Sequence, residues 1–157
     1  MATTIKNATL KVTVKEEMVL NGSRQDSENV LRISDINEIS KRIISIPITE
    51  RTIINMGTNA GAGMFIESDV MYIRITNLDN AYHVGLIFQN ENNDEFGVKL
   101  DYGQSFIYNG DLAGGVVDTM DAVDNDGLST NTFADLVSIT AIADTSPVDI
   151  EMFVASK

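Results

Sequence analysis

The sequence predicts an all-β protein, an antiparallel β-sandwich or jelly roll with one or two short helical turns. Apolar and polar residues alternate along most of the 157 residues, and turn-forming Asn, Asp and Gly separate the alternating runs. There are about ten such runs and little helical periodicity. The length suits a single domain, residues 1–157, in which residues 1–7 are expected to form an extended arm.

The first predicted strand lies in TLKVTVK. Leu10, Val12 and Val14 share one face of it, and the residues between them are polar, so we expect a half-buried strand. Asn21 and Gly22 follow as a residue pair typical of a type I′ turn.

Residues 34–43, SDINEISKRI, are expected to form a short helix or turn. Their isoleucines have helical spacing, and the acidic residues among them resemble a capping box. Residues 44–54 are β-branched and interrupted by Pro47, which predicts an edge strand or two short strands. A second helical turn is expected at residues 132–136.

Residues 71–108 hold four β-type runs separated by three polar gaps. We expect the first three runs, 71–76, 84–88 and 96–100, to form an antiparallel meander whose polar turns face outward. Its apolar face is predicted to build the core through the following side chains: Ile73, Ile75, Leu86, Phe88, Val98 and Leu100. Met71 alternates with Ile73 and Ile75 and is expected on the same face.

Two further strands are predicted near the carboxyl end. In the first, Val137, Ile139 and Ala141 alternate, and a turn signal follows at residues 144–147. The last strand places four apolar side chains on one face: Val148, Ile150, Met152 and Val154. This alternation predicts that the final segment is paired into the sheet.

Composition argues against several functions. The chain has no cysteine, which removes disulfides, thiolate metal ligands and cysteine nucleophiles. Its net charge of −12, from 23 acidic and 11 basic residues, should repel nucleic acid and anionic membranes. We find neither a signal-peptide pattern nor an apolar run of about 20 residues, so we expect a soluble protein that is not exported by that route.

His83 is the single imidazole in the sequence. A general base needs a nucleophile and an orienting group, and no motif supplies them. We therefore expect a surface or interface histidine, no catalytic residue and no enzyme. One histidine without cysteine also argues against a structural zinc site, and no cofactor or metal is expected.

The acidic stretch 118–127 suggests calcium binding as a hypothesis. When Gly127 is set at the sixth position of an EF-hand loop, Ala122 and Phe133 occupy the two anchor positions, which need carboxylates. A solvated acidic loop is the favoured interpretation, and weak calcium binding of another type stays open. Calorimetric titration with calcium would decide between them.

Two loops are prominent. Residues 57–63, GTNAGAG, resemble a phosphate-binding loop but lack its lysine and the helix that should follow, so a flexible strand connection is favoured. Residues 111–130 form the longest stretch without clear alternation, and loops longer than about 12 residues are often functional or mobile. We expect partner contacts from these two loops and from the amino-terminal arm.

A glycan-binding module is a hypothesis of another class. The chain lacks tryptophan, so a sugar platform would depend on its tyrosines. They are Tyr72, Tyr82, Tyr102 and Tyr108. Tyrosines in strands more often pack across the sheet, and loss of glycan-array binding in Tyr82→Ala would support the hypothesis.

Five segments carry a family resemblance: LNG at 20–22, INEISKRIISIPITERTI at 36–53, YIRITNLD at 72–79, LDYGQSFI at 100–107 and VDIEMFVAS at 148–156. In this order they resemble small virion structural proteins of marine tailed bacteriophages, especially cyanophage-like ones. The resemblance spans nearly the whole chain, and it consists of strand edges and turns rather than a catalytic signature.

The resemblance implies a repeated, non-enzymatic component of a phage particle, made in the host cytoplasm and assembled into the virion. A capsid decoration or cement protein is the leading expectation. It would bind outside the lattice of major capsid protein as a symmetric homo-oligomer, with a trimer favoured. A neck, tail or fibre component is the alternative within the same setting.

Overall fold

The computed structural model describes residues 4–110, 118–119 and 133–157. They form an all-β, sandwich-like fold, as the alternation predicted. No helix occurs among them, so the short helix expected at 34–43 is wrong, and residues 134–136 also belong to a strand. Within these ranges no helix has the length and apolar character needed to cross a bilayer.

The described residues form strands β1 to β14. Their bounds are β1 Ala8–Glu16, β2 Val19–Leu20, β3 Ser23–Arg24, β4 Ser27–Ile36, β5 Glu38–Ile46, β6 Arg51–Gly57, β7 Phe65–Ile66, β8 Val70–Asn77, β9 Val84–Asn90, β10 Glu95–Leu100, β11 Ser105–Asn109, β12 Asp118–Thr119, β13 Ala134–Ala143 and β14 Val148–Ser156.

Two sheets enclose the main core. The six-stranded sheet has the order β10-β9-β13-β6-β7, and β12 also pairs with β13. The four-stranded sheet has the order β11-β8-β14-β5. Among the described strands, all pairs are antiparallel except β6 with β7. Side chains from both sheets fill one apolar cluster, in which alternate residues of β8, β9 and β14 are almost fully buried.

The predicted core face of residues 71–108 is confirmed, but the meander is wrong. Ile73, Ile75, Leu86, Phe88 and Leu100 are buried, and Val98 packs against them. However, β8 belongs to the four-stranded sheet, whereas β9 and β10 belong to the six-stranded one. The chain therefore crosses the core between β8 and β9, which alternation cannot reveal because both arrangements bury the same residues.

The two strands near the carboxyl end are confirmed with one correction. Residues 148, 150, 152 and 154 of β14 are buried, as predicted. In β13 the pairing with β9 shifts between Leu136 and Ser138. Leu136 and Ile139 therefore both point into the core, and Val137, expected on the core face, is only half-buried.

Residues 34–43 join two strands instead of forming a helix. Asp35 adopts a left-handed conformation with φ 64°, which asparagine and aspartate tolerate better than most residues. The backbone N–H of Asn37 donates a 3.0 Å hydrogen bond to the carbonyl of Ser156. The chain thus bends between β4 and β5 and changes its pairing partner from β1 to β14.

The prediction for residues 44–54 is confirmed in outline. They supply the end of β5 and the beginning of β6, and Pro47 lies directly after β5. Strand β5 is an edge strand of the four-stranded sheet. Proline suits such a position because its missing N–H is not needed for pairing.

Two asparagines are buried at strand ends. Asn77, fully buried at the end of β8, donates through Nδ2 to the carbonyls of Tyr82 at 2.9 Å and Leu100 at 3.1 Å. Its Oδ1 accepts a 2.9 Å hydrogen bond from the N–H of Asp79. At the end of β9, Asn90 Oδ1 accepts from backbone N–H groups of its own turn. Both side chains satisfy loop groups that the sheets leave unpaired.

Candidate functional site

A long hairpin, residues 8–36, lies against the outer face of the four-stranded sheet. In it β1 pairs with β4, and β2 pairs with β3 at the far end. Its base forms a second apolar cluster, separate from the main core, that consists of Ile33, Ile36, Met71, Tyr72 and Ala155, with Leu10, Val12, Leu31 and Phe153 packed against it. The base of the hairpin is thus anchored by apolar contacts.

A bulge in β8 makes this anchorage possible. The pairing of β14 with β8 shifts from Ala155 opposite Tyr72 to Ser156 opposite Val70, which leaves Met71 as an extra residue. Met71 and Tyr72 consequently both point to the outer face, where the hairpin covers them. Strict alternation would assign only one of these two neighbours to that face, so the sequence pattern missed the second cluster.

The far end of the hairpin, residues 18–25, is called the tip. Asn21 and Gly22 have φ of 50° and 79°, which confirms the predicted turn. The consecutive side chains of Met18, Val19 and Leu20 are 52%, 65% and 57% exposed. Three adjacent exposed apolar residues on an ordered turn are unusual unless they contact something.

Hydrogen bonds hold the tip in one shape. The N–H of Gln25 donates to the carbonyl of Met18 at 2.8 Å, and the N–H of Met18 donates to Oδ1 of Asp26 at 3.2 Å. Nη2 of Arg24 lies 2.7 Å from the other oxygen of the same carboxylate. The three apolar side chains are therefore presented by a structured turn, which lowers the entropic loss on binding a partner.

A groove of about 300 Å³ runs between β1 and the outer face of the four-stranded sheet. Its lining residues are Leu10, Lys11, Val12, Thr13, Tyr72, Arg74, Ile107 and Phe153. The first four are consecutive, and successive side chains of a strand point to opposite faces. The groove therefore follows the edge of β1, and the described strands leave that edge without a partner.

Arg74, which lines the groove, belongs to an ion pair. Nη2 of Arg74 is 2.5 Å from Oε1 of Glu151, and Nζ of Lys41 is 3.5 Å from the other oxygen. Arg74 also donates to the hydroxyl of Thr76. The hydrogen bond from Arg74, assisted by the charge of Lys41, holds the pKa of the Glu151 carboxyl below its ordinary value. The floor is thus mixed in character, with a paired charge between apolar side chains.

The lowered pKa of Glu151 predicts how its contribution to stability depends on pH. The contribution is present above the ordinary pKa of 4.5 and is lost as the pH falls through the lower pKa of the folded state. We expect Glu151→Gln to lose less stability than the unmodified protein between about pH 5 and pH 3. Urea unfolding across this range measures it, with exposed Glu16→Gln as the control. Equal pH slopes for the two variants would contradict the prediction.

A second acidic group behaves in the opposite sense. Burial raises the pKa of Glu67, and the nearby carboxylates of Asp135 and Glu91 raise it further. These three carboxylates have the negative charge of a cation site but not its arrangement. In the described parts of the chain, no three histidine or acidic residues are placed to hold a metal ion.

His83 is half-buried and lies directly before β9. Its Nδ1 is 3.6 Å from Oδ2 of Asp144, and its carbonyl accepts a hydrogen bond from the N–H of the same residue. The structure records no hydrogen bond from the His83 ring to a described serine, threonine or tyrosine hydroxyl. The imidazole is thus partly exposed, and a surface or interface role for it stays a prediction.

The four tyrosines considered as a sugar platform are separated. Tyr72 is buried on the outer face of the four-stranded sheet. Tyr108 packs from the inner face against Phe88, with ring centroids 5.3 Å apart. Tyr82 and Tyr102 lie exposed in loops. Because the first two are on opposite faces of one sheet, the set does not form a single platform.

The structure describes only some of the segments that were expected to contact partners. Residues 57–63 connect β6 to β7, which confirms a strand connection, and their surroundings include the carboxylates of Glu38 and Asp69 in a cleft of about 230 Å³. Two acidic residues against one lysine, Lys157, in this cleft disfavour a bound phosphate. Only 118–119 are described within 111–130, so the calcium hypothesis falls outside the described residues. Residues 4–7 precede β1 and are exposed.

Comparisons with protein-family models, with curated proteins and with solved structures found no match to this chain.

Proposed function

We propose that this protein is a non-enzymatic structural component of a bacteriophage virion, a decoration protein that binds the outer surface of the head lattice. The resemblance of its segments to small virion proteins supports the setting. The observation that carries the binding role is the hairpin tip, because Met18, Val19 and Leu20 are exposed together on a structured turn.

The tip is the surface we assign to the major capsid protein. Its apolar side chains lie at the end of the hairpin that is far from the anchoring cluster of Ile33, Ile36 and Tyr72. Successive strand side chains point to opposite faces, so a partner pocket that encloses the end of the hairpin would bury all three side chains, and burial of apolar surface drives such an association. The sandwich would then hold the anchored hairpin in position.

The mechanism is mass action. A protein that binds only the assembled shell stabilises that shell by its own binding free energy, repeated at every site of the lattice. No bond is made or broken. The net charge of −12 keeps many copies soluble before assembly.

The copy number in purified particles is the first measurement. Quantitative mass spectrometry should give a number comparable to that of the major capsid protein if this protein decorates the head. A few copies per particle would instead place it in the neck, tail or fibres and overturn the decoration proposal.

Leu20→Asp tests the docking surface. We expect it to weaken binding to particles that lack this protein by about tenfold or more, because a charge would replace a buried apolar anchor. Co-sedimentation with such particles measures the binding. Ile48→Asp is the matched control, since Ile48 is 55% exposed and lies between β5 and β6. Binding of Leu20→Asp at the level of the unmodified protein would remove the tip from the proposal.

A further inference from the structure

The cleft of about 230 Å³ beside residues 57–63 lies where the main core ends. Along β5 and β14, the inward-facing pairs change from Ile44 opposite Ile150, which pack in the core, to Glu38 opposite Ser156. Residues directly opposite each other in a strand pair project to the same face. The side chains of Glu38 and Ser156 therefore continue the core row into the cleft, which both residues line.

The glycine-rich loop shapes the opposite wall, to which Met64 and Phe65 contribute their side chains. A Cβ atom at Gly57 would come within 2.9 Å of Cε of Met64, and one at Gly61 within 3.2 Å of its Sδ. A larger residue at either position would push the Met64 side chain away from its place. The glycines of GTNAGAG thus allow Met64 to pack closely against the loop and to form an apolar wall.

Two carboxylates line the cleft, and neither forms an ion pair with a described residue. Glu38 and Asp69 both belong to the lining, yet the ion pairs within the described ranges involve other acidic residues. Oδ1 of Asp69 accepts a 3.1 Å hydrogen bond from the neutral hydroxyl of Ser68. Lys157 is the one basic residue of the lining, and it is exposed. The cleft therefore carries a net negative charge.

The hydroxyl of Ser156 is buried and lacks a partner among the described residues. Ser156 is only 4% exposed. Its carbonyl accepts a hydrogen bond from the N–H of Asn37, but its Oγ has no hydrogen bond to residues 4–110, 118–119 or 133–157. Buried hydroxyls almost always have a partner. An unpaired one in the wall of an acidic cleft indicates that a ligand supplies the missing group.

The lining selects an organic cation. Its negative charge repels anions, and no three acidic or histidine residues in the described ranges are placed to hold a metal ion. The apolar surfaces of Met64 and Phe65 suit the carbon chain of a basic side chain, and an aromatic face attracts a cation. A guanidinium group presents five N–H donors in a planar fork, whereas an ammonium is a compact point charge. The fork suits the three acceptors at Glu38, Asp69 and Ser156.

We propose that this cleft binds the side chain of an arginine presented by a partner protein. The guanidinium donates hydrogen bonds to the carboxylates of Glu38 and Asp69 and to Oγ of Ser156, and its methylene groups pack against Met64 and Phe65. Sites for small molecules usually have volumes of roughly 300–1,000 Å³. A cleft of about 230 Å³ is smaller than that and suits a single side chain.

Titration of the full chain with N-acetylarginine methylamide, followed by nuclear magnetic resonance, tests the site. We expect the amide signals of Glu38, Asp69 and Lys157 to shift with a Kd on the order of 10 mM. The neutral analogue N-acetylcitrulline methylamide should leave them unchanged. Glu38→Gln and Asp69→Asn should each weaken binding about fivefold or more, because each removes a charged acceptor. Glu16→Gln is the matched control, since exposed Glu16 lies outside the lining.

Ser156→Ala distinguishes a ligand contact from a structural role. Removing a buried hydroxyl that has no partner in the free protein should not lower the unfolding midpoint. The same change should weaken binding of the arginine probe about threefold, because one acceptor is lost. A lower midpoint together with unchanged binding would show that the hydroxyl is structural, and it would overturn the proposal.

Three other results would overturn it. Equal shifts with the citrulline probe would remove the role of charge, and unweakened binding to Glu38→Gln would remove the carboxylate. If calcium chloride moved the same amide signals at lower concentration than the arginine probe, the cleft would be a metal site. Free arginine that bound about tenfold more tightly than the blocked probe would replace the partner protein by a small molecule. The copy number in particles tests the virion proposal separately.

Discussion

Phe88→Ala is expected to lower the free energy of unfolding by about 3–5 kcal/mol. Phe88 is fully buried in β9, and its ring centroid lies 4.7 Å from that of Phe96, 5.1 Å from Phe106 and 5.3 Å from Tyr108. The last two belong to the opposite sheet. The ring thus joins the two sheets, and its removal leaves a cavity that rigid neighbouring strands fill poorly.

Chemical denaturation followed by circular dichroism measures this loss. Phe133→Ala is the matched control, because Phe133 is 59% exposed and its truncation should change stability by less than about 0.5 kcal/mol. Similar losses in the two variants would show that the aromatic cluster does not hold the sheets together.

Asn77→Ala is expected to lower the free energy of unfolding by about 2–4 kcal/mol. The substitution removes both donors that satisfy the carbonyls of Tyr82 and Leu100 and the acceptor that satisfies the N–H of Asp79. Leaving buried polar groups without partners is more destabilising than losing an exposed hydrogen bond. The loop that crosses from one sheet to the other would lose its attachment to the end of β8.

Asn92→Ala is the control, because it shows how much stability is lost when an exposed asparagine of a turn is truncated. Asn92 is exposed, so its truncation should leave the unfolding midpoint nearly unchanged. Amide hydrogen exchange adds a local measure, since residues 78–83 should lose protection in Asn77→Ala before the strands do. A midpoint for Asn77→Ala equal to that of Asn92→Ala would contradict the prediction.

Apolar and polar residues alternate because one face of each strand is buried, whichever strands it pairs with. Alternation therefore predicted most of the core residues but not the pairing order. The apolar positions of β8, β9 and β14 were correctly assigned to the interior. The distribution of these strands between the two sheets was not predicted, because a strand shows the same alternation in either sheet. Bulges explain two single-residue misses: an extra residue moves Val137 off the core face, and another brings Met71 to the outer face.

The helix expected at residues 34–43 failed for a different reason. Ile36, Ile39 and Ile43 have helical spacing, but Ile36 belongs to β4 and the other two to β5, where they are exposed. The bend between the strands depends on the conformation of Asp35 and on a hydrogen bond to a residue more than 100 positions away. A local pattern cannot include such a contact.

The hairpin tip was only partly predictable. The Asn21-Gly22 turn follows from residue type, whereas the exposure of Met18, Val19 and Leu20 depends on what the rest of the chain leaves uncovered. Three apolar residues directly before a turn, with no polar residue between them, were the available signal. The groove carried no signal in sequence, because its two walls are about 60 residues apart or more along the chain.

The junction of β4 with β5 has a mechanical consequence. Only Asn37 separates the two strands, and β5 pairs with β14 along the whole run from Glu38 opposite Ser156 to Ile46 opposite Val148. A force on the tip therefore passes directly into a strand that is paired with β14 along its whole length. If a partner holds the tip, pulling the sandwich away from it would have to break the whole set of backbone hydrogen bonds between β5 and β14.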